Sequence, residues 1–125
     1  MEKLVVSEHK KADIEFASEI ERLLRSLGVT GRLIGFGYLV YIVANELQQP
    51  YSRRFLTKCI YPETAKFFAV TPSSVERGVR TVVKTCWKRC DHTALDKIAG
   101  IHLEAIPTNS EFIDMLTAYM RFYCS

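Results

Sequence analysis

The chain has 125 residues, 48% of them hydrophobic and 25% charged, with a net charge of +3. That is one domain's worth of chain with ordinary globular composition, which excludes a disordered segment and makes a single buried core sufficient. The most apolar stretch, Leu33 to Ala44, is too short to span a bilayer and is interrupted at its start by Gly35 and Gly37, so a membrane span is excluded and a buried helix expected.

The predicted elements are all helical. Residues 1–13 read as an N-terminal tail with no secretory pattern, and residues 14–125 as the folded domain. A first helix from Ile14 to Leu27 places Ile20, Leu23, Leu24 and Leu27 on one stripe, with Gly28 as its stop. A second helix is expected from Arg32 to about Gln48, apolar on most sides, and Pro50 ends it. Ser52 offers an N-cap for a short helix running to Ile60, and Pro62 suits the first position of another, Glu63 to Ala69. Thr71-Pro72 repeats that signal and opens a long helix towards Arg89. Asp91 and His92 break it. A short helix around Leu95 to Ala99 then ends at Gly100, and Ile101 to Ile106 reads as loop or extended chain. Thr108-Asn109-Ser110-Glu111 is a capping box for a last helix carrying Phe112, Leu116, Tyr119 and Tyr123 on one face. The expected fold is all-α, a compact bundle of about six helices.

Charge is unevenly placed along this chain. Residues 1–21 sum to −3, residues 22–90 to +9, and residues 91–125 to −3. A basic centre between acidic ends is an electrostatic footprint for a polyanion. Beneath it lies a helix-turn-helix pattern from Tyr61 to Lys88. Ala65 is the small residue where two helices touch, Phe68 faces the core, Ala69-Val70-Thr71 makes the turn, and Val70 and Val75 pin the second helix.

The second helix of the pair divides into two arcs. At about a hundred degrees per residue, Val75, Val79, Val82, Val83 and Cys86 fall on one side, and Arg77, Arg80, Lys84 and Lys88 on the other. Four cations on one stripe repel one another, and phosphate is the partner that offsets the cost. Ser73, Ser74, Glu76 and Arg77 occupy the first turns, the part of a recognition helix that reaches base edges. An arginine can take guanine O6 and N7 together, a glutamate accepts from a cytosine amino group, and serines suit phosphate oxygens. The bland alternative is a helical hairpin with a solvated basic face.

Other chemistries find little support. Cys59, Cys86, Cys90 and Cys124 have no secreted-domain spacing and read as reduced, buried thiols, consistent with a cytoplasmic protein. Cys86, Cys90 and His92 lack the spacing of a structural zinc site and an evident fourth ligand. No catalytic trio, paired-carboxylate arrangement or phosphate loop is present, so neither an enzyme nor a cofactor is expected. Trp87, Phe36, Tyr38, Tyr41, Phe55, Phe67, Phe68 and Phe112 read as core and helix contacts rather than base-stacking platforms.

The run from Leu56 to Lys66, continuing through Ser74-Val75-Glu76-Arg77-Gly78-Val79-Arg80, closely resembles the C-terminal effector-domain family of stage-zero sporulation protein A, a response regulator of endospore formation. Leu27-Gly28-Val29 leading to Gly35 and Tyr38-Leu39, and Pro107 to Ile113, agree in order and spacing, so the likeness covers about Ile20 to Arg121. The resemblance implies a six-helix domain that binds a TGTCGAA-type element in duplex DNA, often as tandem dimers. It assigns base contacts to Glu76, Arg77 and Arg80, and contact with the polymerase sigma subunit to roughly Cys86 to His102. Thr81, on the same helix, stands where the family carries a histidine, and Cys86 to His102 departs from the family pattern. The residues before Ile14 are too few for a receiver domain, which leaves an alternative function: a receiver-less interaction domain that regulates a relative by mixed dimerisation.

Overall fold

A computed structural model describes residues 8–48, 56–89 and 91–124. Among them are six helices and no strand: α1 (Glu8–Ser26), α2 (Ile34–Leu47), α3 (Leu56–Phe68), α4 (Pro72–Arg89), α5 (His92–Ala99) and α6 (Asn109–Cys124). The all-α bundle expected from the sequence is the fold observed. None of these helices is long and apolar enough to cross a membrane.

The helix ends follow from local chemistry. Gly28 adopts a left-handed φ of +87°, and the Val29 N–H reaches back to the Leu24 carbonyl at 3.3 Å. Val29 is itself buried, which completes the hydrophobic closure of this kind of helix end. Asp91 does more than interrupt the chain after α4. Its carboxylate accepts from the Thr93 N–H at 3.1 Å and so caps α5, whose first residue is His92. At the far end of α5 the φ of +80° at Gly100 stops the helix. The capping box at α6 forms as expected: the Glu111 N–H donates to Thr108 Oγ1 at 3.1 Å, and the Thr108 N–H to Glu111 Oε1 at 2.9 Å.

Three expectations about the elements need correction. First, α1 begins at Glu8, ahead of Ile14. Second, one continuous helix, α3, replaces the pair of short helices expected on either side of Tyr61, and Pro62 lies inside it. The proline forfeits one backbone bond, but Ile60, Thr64 and Ala65 are all buried on one stripe, and that burial holds the helix together across it. The Thr64 hydroxyl also donates to the Ile60 carbonyl at 2.6 Å. Third, of the aromatics expected as core and helix contacts, Phe67 makes only the second kind. Phe67 is 64% exposed and stacks on Tyr41 at 4.3 Å, because its neighbour Phe68 takes the inward position. Tyr123, on the face of α6 expected for it, lies 4.4 Å from the Tyr119 ring and is 63% exposed. Ser52, Pro50, Phe55 and Cys90 lie outside the described residues.

The core sits around α2, which packs against α1, α3, α4 and α6. Leu39, Ile42 and Val43 are fully buried there, together with Ile20, Leu24 and Leu27 of α1, the valines of α4, and Phe112, Ile113 and Leu116 of α6. The crossing of α2 with α4 is a close approach that bears on the site. A Cβ placed on Gly35 would overlap the backbone carbonyl of Gly78, and one on Gly78 would come within 2.9 Å of the Tyr38 ring. Only two glycines allow the backbones to meet there.

Candidate nucleic-acid interface

The turn between α3 and α4 is built largely as the sequence suggests. Ala65 is 2% exposed and Val75 fully buried, and α3 packs against α4. Ala69 takes a left-handed φ of +59°, and the Val70 N–H returns to the Ala65 carbonyl at 2.9 Å. This is the position where glycine is common. An alanine in that conformation stores strain, because its Cβ crowds the neighbouring carbonyl. Thr71 then caps α4: its Oγ1 accepts from the Ser74 N–H at 3.1 Å, and its hydroxyl donates to Ser74 Oγ at 3.0 Å.

The two arcs of α4 separate as expected. Val75, Val79, Val82, Val83 and Cys86 are buried, and the Cys86 thiol donates to the Leu27 carbonyl at 3.6 Å. On the opposite side Ser73, Arg77, Arg80, Thr81, Lys84 and Lys88 are all exposed, with Ser74 and Glu76 half-buried at the edge. The eight residues singled out from the sequence therefore share one helix and lie outside its valine face.

Their surroundings distinguish them. Arg77, Lys84 and Lys88 have no ion-pair or hydrogen-bonding partner for their side chains among the described residues. Arg80 is paired with Glu76 at 3.5 Å, across one helical turn, with both side chains about half exposed. An exposed pair of this kind is worth roughly 0–1 kcal/mol, so either member can be recruited by a stronger partner. The Thr81 hydroxyl donates to the Arg77 carbonyl at 3.1 Å. Its donor is spent on its own helix. The start of α4 is likewise partly committed: the Ser74 and Val75 N–H groups both go to Thr71, and Pro72 has none, while the Ser73 N–H has no partner among the described residues.

Sequence reasoning missed the groups that brace this helix from its sides. Asn109, buried at the start of α6, donates from Nδ2 to the Glu76 carbonyl at 3.0 Å. Tyr61 of α3 lies in the same place. Burial pushes its phenol above the usual 10.0, a hydrogen bond from Asn109 opposes the rise, and the charges of Glu76 and Arg80 act on it in opposite directions. The only sequence signal for Asn109 was its place in a capping box, which says nothing about a partner 33 residues away.

At the other end of α4, the Trp87 ring lies 4.0 Å from that of His92, whose Nε2 is 2.8 Å from the Trp87 carbonyl. Among the described residues, no group of three or more His, Cys, Asp or Glu is placed to hold a metal ion.

A short helix pair with a capped second helix, a buried valine face and an outward cationic face defines a helix-turn-helix domain. The chain matches the family model described as Sporulation initiation factor Spo0A C terminal over residues 20–120. It belongs to that family, whose members are the DNA-binding effector domains of a sporulation response regulator.

Proposed function

We propose that this domain is a sequence-specific regulator of transcription that reads duplex DNA with α4 lying in the major groove. In this reading Glu76 and Arg77 contact base edges, Arg80 takes a base or a phosphate, and Thr81 lies alongside them against the groove. Ser73, Ser74, Lys84 and Lys88 hold the phosphate backbone. The observation that carries the reading is the outward face of α4, where three cations stand unpartnered and a fourth is held only by an exposed ion pair. Sigma-subunit contact and tandem homodimers, which the resemblance implies, would accompany DNA binding in this reading. In this chain the segment that would serve the first of these is the end of α4 with α5, roughly Cys86 to His102.

Selecting bound sequences from a randomised duplex pool tests the proposal directly. Enrichment of one short element is expected, and recovery of unenriched DNA would sink the specific reading. Lys84→Ala or Lys88→Ala should weaken binding similarly on selected and random duplexes and flatten the salt dependence by about one unit of slope. Unchanged affinity and slope would remove these lysines from the phosphate track. Mixed dimerisation with a relative, the competing function, has the exposed Phe67 and Phe122 in its favour. It predicts a domain that binds no duplex alone.

A further inference from the structure

We infer that Asn109 is a positioning residue for sequence reading: from the start of α6, with Tyr61 of α3 beside it, it forms a polar bracket that fixes the turn of α4 carrying Glu76 and Arg80 at the groove. The inference rests on the reading of α4 proposed above and extends it to two residues that would touch no DNA.

The geometry is specific to this point of α4. The Asn109 amide is 6% exposed and donates across 33 residues to the carbonyl of Glu76, the residue that also holds Arg80 at 3.5 Å. The Tyr61 phenol lies close enough to feel the same amide and the charges of both Glu76 and Arg80. Asn109 is in turn held in place by the capping box, in which Thr108 and Glu111 exchange two hydrogen bonds around it. The start of α6 is thus tied to one backbone carbonyl of α4, beneath the Glu76–Arg80 pair, with Tyr61 of α3 nearby.

The bracket is not what a purely structural position would carry. Asn109 Oδ1 is buried with no hydrogen-bond partner among the described residues. A half-satisfied buried amide costs stability, and a small apolar residue would avoid that cost. What the asparagine supplies instead is direction. It ties the rotation of α4 about its own axis to α6, while the phosphate-facing Lys84 and Lys88 lie further along the helix and away from the bracket.

That separation provides the test. Wild-type, Tyr61→Phe and Asn109→Ala chains are compared on the element selected by the wild type and on random duplex, over a range of salt, with melting curves alongside. The expected result is a loss of discrimination of about tenfold, the order that one well-placed base contact carries, with the salt slope on both duplexes unchanged. The double variant should lose no more than the larger single loss, because the two residues act as one unit. Folded variants that keep their discrimination, or that lose affinity equally on both duplexes, overturn the inference. Tyr61→Phe removes one oxygen only and keeps the test alive if Asn109→Ala does not fold. Should the wild type itself select no element, the reading of α4 fails first, a result distinct from a discriminating wild type with discriminating variants.

Discussion

The two flanks of α4 are held by opposite means. On one side α2 approaches so closely that Gly35 and Gly78 leave no room for a Cβ, and the contact is steric. On the other, Asn109 reaches α4 through a hydrogen bond to the Glu76 carbonyl, with Tyr61 beside it, and the contact is polar. A steric contact fixes where a helix lies, because a packed interior has little give. A hydrogen bond to one carbonyl adds little to stability but fixes which way the helix is turned. The stability of the domain should therefore reside mainly on the glycine side, and its accuracy in reading DNA on the polar side.

The largest expected effect breaks the glycine side. Gly35→Ala drives a methyl group into the Gly78 backbone, which cannot rotate away, and should cost about 3 kcal/mol, read as a lower denaturation midpoint. Gly78→Ala sharpens the point. Its new methyl meets the edge of the buried Tyr38 ring at 2.9 Å, a milder overlap than the 2.0 Å to backbone at Gly35, and alanine favours the helix by up to ~1 kcal/mol. The second substitution should cost less than half as much as the first. Equal costs would mean that the two backbones do not meet as described.

A smaller effect, of opposite sign, is expected at the turn that both flanks share. Ala69→Gly relieves the left-handed alanine, offset by the greater freedom of glycine in the unfolded chain, and should add about 0.5–1 kcal/mol. A rise in melting temperature without a change in discrimination is the expected outcome. A fall would show that the turn carries no strain.

The smallest effect belongs to the polar side and to acid. Asp96 accepts from the Leu103 N–H at 2.9 Å and faces His102 Nδ1 at 2.7 Å, anchoring the loop that delivers Asn109. Those partners, the backbone N–H first, hold its carboxyl below the ordinary 3.8. Because the folded value is the depressed one, the stabilisation is complete above 3.8 and is lost as pH falls through the folded value. Acid melting of Asp96→Asn should show a shallower decline over that window than the wild type. Parallel curves would detach Asp96 from the acid response.

Local signals were legible in the sequence and distant pairings were not. The Thr71-Pro72 start, the Thr108–Glu111 box and the valine arc of α4 are each written within a few residues, so periodicity and capping rules found them. The expected break at Pro62 shows the limit of such rules: proline at a helix start is a local preference, and buried Ile60, Thr64 and Ala65 override it through contacts with other helices. Gly35 and Gly78 make sense only as a pair, and Asn109 only beside Glu76. Nothing in the chemistry of one stretch announces its partner in another. The outward residues of α4 were legible for the same reason as the valines, being the complement of a buried stripe. Which of them the helix keeps for itself, as it does the Thr81 hydroxyl, needed the structure.

The stacking of Trp87 on His92 has a practical consequence. The chain contains a single tryptophan, and it sits half-buried where α4 hands over to α5. All of the long-wavelength emission of this protein therefore originates at one known joint. A shift in its colour or intensity when a duplex or a protein partner is added reports directly on whether that joint moves, with no label attached.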